Sequence, residues 1–126
     1  MKRFLSQLLP QGVKNVYHLA QAIFACVVFG FPGKKLRVVG VTGTNGKTTT
    51  SQFIARILSA SGKKVALAST INFQIGERVW VNSSKFTTMS PWKLQKFLRE
   101  AVSEGCEYAV IETSSHALDQ NRVWGI

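Results

Sequence analysis

Apolar positions fall along this chain in two rhythms. From Val16 to Phe31, VYHLAQAIFACVVFGF, they run around the whole helical circumference with only His18 and Gln21 as interruptions. Such a run predicts a helix buried or covered by a partner, or one resting on a membrane surface between Lys14, Lys34 and Lys35; it is short for a membrane span. Pro32 and Gly33 stop it, which puts a boundary near Lys34 and divides an N-terminal apolar helical segment, 1–33, from a unit over 34–126. Past the boundary the rhythm alternates. LRVVGVTG predicts a buried strand, and KTTTSQFIARILSASG a helix with Phe53, Ile54, Ile57 and Leu58 on one face, closed by Gly62. KKVALAST predicts a second strand, INFQIGERVWVNSS a hairpin about Gly76, SPWKLQKFLREAVSEG a helix opened by Ser-Pro, and EYAVIETSS a further buried strand. Strands alternating with helices define the expected fold class as α/β, a mainly parallel sheet with helices on both faces.

Composition narrows the partners. The chain has 126 residues, 45% of them apolar, enough for one soluble core. Sixteen Lys and Arg against six Asp and Glu give a net charge of +10, which favours anionic partners. The cations lie in small groups, Lys2-Arg3, Lys34-Lys35-Arg37 and Lys63-Lys64, without interleaved aromatics, so no nucleic acid is expected as a partner. Cys26 and Cys106 are far apart and outside any metal-ligand spacing, and read as reduced thiols. The N-terminus lacks the apolar stretch and small-residue site of a secretory signal, so a cytoplasmic location is expected.

The chemistry concentrates in VVGVTGTNGKTTTS, residues 38–51. A strand ending at Gly43, a tight loop Thr44-Asn45-Gly46 and a helix beginning near Lys47 converge backbone N–H groups and a positive helix end on one point, a place for phosphate. Lys47 reaches the terminal phosphates and the Thr48 hydroxyl suits Mg²⁺. The general G-x-x-x-x-G-K-[ST] spacing fails at its first position, where Val41 follows Gly40. Glu112 ends the apolar run YAVIE at the carboxyl edge of the sheet, where ligands of open α/β folds bind; it is a candidate Mg²⁺ ligand or else a solvated strand-end carboxylate.

On these residues, GVTGTNGKTTT resembles the ATP loop of the Mur ligases, which add amino acids to UDP-N-acetylmuramoyl peptides and use the same shifted glycine spacing. FTTMSPWKLQKFL resembles that family's paired-threonine substrate loop, and IETSSHALDQNRVWGI the segment typical of the UDP-N-acetylmuramoyl-tripeptide synthetase branch. The resemblance runs from about Leu36 to Ile126. It implies a P-loop NTPase-like central domain with ATP held by Gly43, Thr44, Asn45, Gly46, Lys47, Thr48 and Thr49. Thr48 and Glu112 would ligate Mg²⁺, and Lys47 and Glu112 would be the catalytic residues. Thr87, Thr88, Ser114, Gln120 and Arg122 would contact the UDP-N-acetylmuramoyl peptide. The implied reaction moves the γ-phosphoryl of ATP to a substrate carboxylate, after which an amino acid's amine displaces phosphate.

Without the resemblance, Thr87-Thr88 reads equally as a turn and cap before Ser90-Pro91, His116 as a packing or hydrogen-bonding residue, and Trp80, Trp92 and Trp124 as core or interface anchors. Mur ligases have three domains, and only the first part of the central one is matched. Activity is therefore expected to need C-terminal domains or a partner chain, and Phe53, Ile57 and Trp92 are expected to stay partly uncovered. Two alternatives stand beside the ligase. One is a folylpolyglutamate or cyanophycin synthetase-type enzyme, although folylpolyglutamate synthetases read G-K-G-S where three threonines follow Lys47 here. The other is a non-catalytic nucleotide-binding module.

Overall fold

A computed structural model describes residues 10–84, 89–119 and 123–126. Its elements in chain order are α1 (Gln11–Phe29), a 3-10 turn (Pro32–Lys35), β1 (Arg37–Val41), α2 (Lys47–Ala60), β2 (Val65–Ala68), β3 (Asn72–Ile75), β4 (Arg78–Val81), α3 (Pro91–Ser103), β5 (Tyr108–Glu112) and α4 (Ser115–Asp119). Helix α1 begins five residues before the apolar run, because Pro10 sets its entry and the Gln11 amide bonds Asn15 one turn on. Gly30, at φ 75°, ends it, and the Phe31 N–H closes back on the Cys26 carbonyl at 2.8 Å.

The strands form one sheet in the order β1-β5-β2-β3-β4. β5 lies parallel between β1 and β2, with Val39 beside Val110 and Ala68 beside Ile111, and the β3–β4 hairpin continues the sheet antiparallel from β2. Every residue of β2 is buried, as are the last four of β5, the pattern of strands covered on both faces. β1 departs from the expected buried strand: Arg37 and Gly40 are exposed because β1 pairs on one side only.

The helices cover opposite faces. On one, Leu94, Phe97, Leu98 and Ala101 of α3 pack on Ala66, Ala68, Ala109 and Ile111, and α1 packs on α3. On the other, Ala55 of α2 meets Val41, Val65, Leu67 and Val110, with Ile54 and Leu58 alongside. Here the expected face needs correction. Ser51, Ile54, Ala55 and Leu58 point to the sheet, and the small Ser51 and Ala55 let the helix come close. Phe53 and Ile57, grouped by the sequence pattern with Ile54 and Leu58, are turned out, 60% and 67% exposed, and like Trp92 they stay partly uncovered as expected.

The tryptophans join layers. Trp80 meets Phe73 and Phe97, linking the hairpin to α3, and Trp92 meets Phe24 and Phe29, linking α3 to α1. Trp124 is exposed, and its carbonyl accepts from the Cys26 thiol. Both cysteines are buried free thiols, and burial pushes their pKa up, which keeps them protonated and unreactive.

Leu98→Ala, at a fully buried position between α3 and the sheet, should cost about 2–5 kcal/mol. Phe53→Ser should change stability by less than about 0.5 kcal/mol. Denaturant unfolding of the two variants measures the contrast, and equal losses would mean that α2 is covered where it is here exposed.

Candidate nucleotide-phosphate site

The loop between β1 and α2 is shaped by two glycines. Gly43, at φ 147°, turns the chain out of the strand, and Gly46, at φ 77°, occupies the position before the first helical residue. No side chain caps that helix end. Its first internal bond runs from the Thr50 N–H to the Gly46 carbonyl at 2.9 Å, so the N–H groups of Gly46, Lys47, Thr48 and Thr49 are the four donors a helix start leaves for a ligand. The Ser51 hydroxyl, bonded to the Lys47 carbonyl at 2.7 Å, steadies this turn. Thr44, Asn45 and Thr49 are exposed at the loop. The Lys47 ammonium folds across it and donates to the Gly43 carbonyl at 2.9 Å.

Strand register brings the acid to the loop. Val41, the last residue of β1, lies beside Glu112, the last of β5, and the Thr113 N–H donates to the Val41 carbonyl at 2.9 Å. Glu112 is not solvated: it is 2% exposed. Thr48 Oγ1 donates toward its two oxygens at 3.0 and 3.1 Å. The Thr70 N–H donates to one oxygen at 2.9 Å and the Thr70 hydroxyl to the other at 2.9 Å. The ion pairs found among the described residues, Lys63–Glu107 and Arg78–Glu100, do not involve it. Among the described residues its side-chain partners are two hydroxyls and one amide, and a cation beside it would complement such a buried acid.

Thr70 was not expected at the site. It is held by the turn after β2: the Ser69 N–H donates to the Asn72 carbonyl at 3.0 Å, the Gln52 amide donates to Asn72 Oδ1 at 2.7 Å, and the Asn82 amide donates to the Ser69 carbonyl at 2.9 Å. The sequence signal, a polar STIN after an apolar strand, marks a turn and nothing more. Of the residues expected to touch the peptide substrate, Ser114 lies two residues past Glu112 and its hydroxyl accepts from the Ala117 N–H at 3.1 Å, starting α4. Thr87, Thr88, Gln120 and Arg122 lie outside the described residues, as does the His116 side chain.

A cleft of about 250 Å³ beside the loop is lined by Thr48, Thr49, Gln52, Phe53, Arg56 and Ile71. A roomier one of about 880 Å³, around Lys63, Lys64, Gly76 and Arg78, lies away from the loop and carries none of this chemistry. The donor set fits a nucleotide with magnesium. Backbone N–H groups, a helix N-terminus and Lys47 suit phosphate, and Thr48 with Glu112 offers the hard oxygens Mg²⁺ takes. No group of three or more His, Cys, Asp or Glu side chains gathers among the described residues, so such an ion would draw its remaining oxygens from phosphate and water, as Mg²⁺ commonly does.

Fold and loop together define an α/β phosphate-loop domain. Residues 41–126 match the model of the Mur ligase middle domain, and the chain belongs to that family. It is 45% identical over 109 residues to a UDP-N-acetylmuramyl-tripeptide synthetase from Roseiflexus sp., covering 85% of this chain and 21% of that protein. It is 42% identical over 124 residues to a UDP-N-acetylmuramoyl-L-alanyl-D-glutamate--2,6-diaminopimelate ligase from Geobacillus kaustophilus, covering 98% of this chain and 25% of that protein. A solved structure of a ligase of the same name superposes with a TM-score of 0.64 at 36% identity, over 72% of this chain and 18% of that one. The chain thus spans about a fifth to a quarter of the length of the curated relatives it matches.

Replacing Glu112 separates its two roles. In Glu112→Gln the amide oxygen still accepts from the Thr70 N–H, and the amide NH₂ finds hydroxyls that can turn to accept, so the thermal midpoint should hold or rise slightly while Mg²⁺-dependent nucleotide binding weakens at least tenfold. Glu112→Ala strands those buried donors and should cost about 1–3 kcal/mol. Calorimetry with and without Mg²⁺, beside thermal melts, checks both.

Proposed function

We propose that this chain is the nucleotide-binding part of an ATP-dependent ligase of peptidoglycan precursor synthesis, one that joins an amino acid to a UDP-N-acetylmuramoyl peptide. The observation that carries the reading is the placing of Thr48 and Glu112 within 3.0 Å at the root of a loop whose helix start is left uncapped. The names of its relatives point to the same class of reaction.

In this reading Lys47 leaves the Gly43 carbonyl for the terminal phosphates of ATP, and the loop from Gly43 to Thr49 wraps them with N–H donors. Mg²⁺, held by Thr48 and Glu112, would neutralise phosphate charge as the γ-phosphoryl moves to the substrate carboxylate. Thr70 keeps the Glu112 carboxylate aimed at that place. Ser114, with Thr87, Thr88, Gln120 and Arg122, is assigned to the UDP-N-acetylmuramoyl peptide, Arg122 through the bidentate geometry its guanidinium offers to an anion. The chemistry asks for positioning and charge neutralisation, which a phosphate loop and a buried acid provide. Residues 1–33 are assigned to a helical segment and 34–126 to part of the central ATP-binding domain, with the remaining domains or a partner chain completing the enzyme in the cytoplasm. The amino acid selected is assigned to those remaining parts.

Two experiments test this. Lys47→Ala should weaken Mg·ATP binding by about 1.5–3 kcal/mol, the loss of a charge-assisted phosphate bond. A folded chain that binds no nucleotide, or binds it equally without Mg²⁺, would remove the phosphate-loop assignment. In the second, these residues replace the matching stretch of the Geobacillus ligase. The chimera should form the amide only with ATP and a UDP-N-acetylmuramoyl peptide, and lose that activity on Lys47→Ala. Nucleotide binding without any activity in a folded chimera would favour a non-catalytic module, and activity on folate substrates the folylpolyglutamate alternative.

A further inference from the structure

Helix α1 is inverted relative to a helix of a soluble core. Toward α3 it turns the small residues Ala22, Ala25 and Cys26, all fully buried, which let the two helices approach closely. Away from α3 it turns Val13, Val16, Tyr17, Val27 and Val28, each about half to two thirds exposed, with Phe24 at the border of this face, its ring stacked on Trp92 of α3. Their spacing of three and four residues makes one stripe along a helix of 19 residues, about 28 Å long. No charged side chain interrupts it; Lys14 is the helix's one ionised residue. A continuous outward stripe of this size is what proteins cover with something.

Charge says what. The first acidic residue of the chain is Glu77, whereas residues 1–76 carry ten Lys and Arg. Just past the end of α1 come Lys34, Lys35 and Arg37, all exposed, gathered with Lys63 around a shallow cleft of about 440 Å³. Glu107, which also lines that cleft, pairs with Lys63, while Lys34, Lys35 and Arg37 form no ion pair among the described residues; an apolar stripe followed by these cations complements an anionic lipid surface. The length and hydropathy of α1 also reach those of a membrane span, but its inner face is taken up by α3, so it can lie on a bilayer while still packed on its own domain.

We propose that α1 docks the domain on an anionic bilayer surface, its Val16–Tyr17–Val27 side sunk among the acyl chains and Lys14, Lys34, Lys35 and Arg37 at the headgroups. Because α1 and α3 lie on one side of the sheet and α2 with the phosphate loop on the other, this orientation leaves the nucleotide site facing the aqueous side. The inference does not depend on the proposed ligase activity.

The test is co-sedimentation of the chain with vesicles of phosphatidylglycerol and phosphatidylcholine in equal parts, against phosphatidylcholine alone. Circular dichroism and sedimentation velocity first establish fold and oligomeric state. Binding should be at least tenfold stronger to the anionic vesicles and fall as salt rises from 0.05 to 0.5 M, roughly the range over which screening removes headgroup attraction. Val16→Glu with Val27→Glu, both at exposed positions and outside the nucleotide site, should abolish it; Lys34→Gln with Lys35→Gln should reduce it several-fold. Equal binding by the Glu variant, or no anionic preference, overturns the proposal. So does self-association that Val16→Glu with Val27→Glu cures in the absence of lipid, which would make a second copy the occupant. So, finally, does vesicle binding that vanishes when the chain is extended to the relatives' length, since the added residues would then cover the stripe.

Discussion

Everything at the candidate site depends on one buried carboxyl group. Glu112 sits at the end of β5, between β1 and β2, and is buried beneath the start of α2 and the turn after β2. A carboxyl group in such a place must be answered by directed hydrogen bonds, and the donors come from two separate pieces of chain: Thr48 from the start of α2, and the Thr70 amide and hydroxyl from the turn after β2. The demand of that group therefore ties together the phosphate loop, the middle of the sheet and the turn that leads into the hairpin.

The supporting structure follows from the same requirement. For Thr48 to reach Glu112, α2 has to lie close to the sheet, and the small Ser51 and Ala55 on its inner face permit this. Thr70 is in turn delivered by a polar network that reaches Gln52 on α2 and Asn82 after β4, so helix, turn and hairpin are bonded to one another around the acid. Buried polar networks of this kind specify one arrangement, because each half-made alternative leaves a donor or acceptor unpaired.

The far face of the domain is organised by packing. There α3 lays Leu94, Phe97 and Leu98 on the sheet, and Trp92 and Trp80 carry the contact outward to α1 and to the hairpin. The two faces thus divide the labour: one holds a ligand site through hydrogen bonds, the other carries most of the large buried side chains and presents the apolar stripe of α1.

Much of this was written in the sequence. The α/β alternation, the hairpin about Gly76, the helix opened by Ser90-Pro91 and the glycine-shaped turn from Gly43 into α2 rest on local signals, periodicity and residue types whose backbone preferences act within a few positions. Glu112 could be singled out because it ends an apolar strand, yet sequence left open whether it was solvated. Strand order decided that. Placing β5 between β1 and β2 buried the acid and left β1 an edge, where its apolar run predicted an interior strand. That Phe53 and Ile57 stay partly uncovered was expected, but the packing of α2 through Ser51 and Ala55 was hidden, because apolar periodicity does not distinguish a face that packs through small residues from a neighbouring face rich in large ones. Thr70 was illegible for the same physical reason: its partner lies 42 positions away, and only the parallel register of β2 and β5 brings the two together.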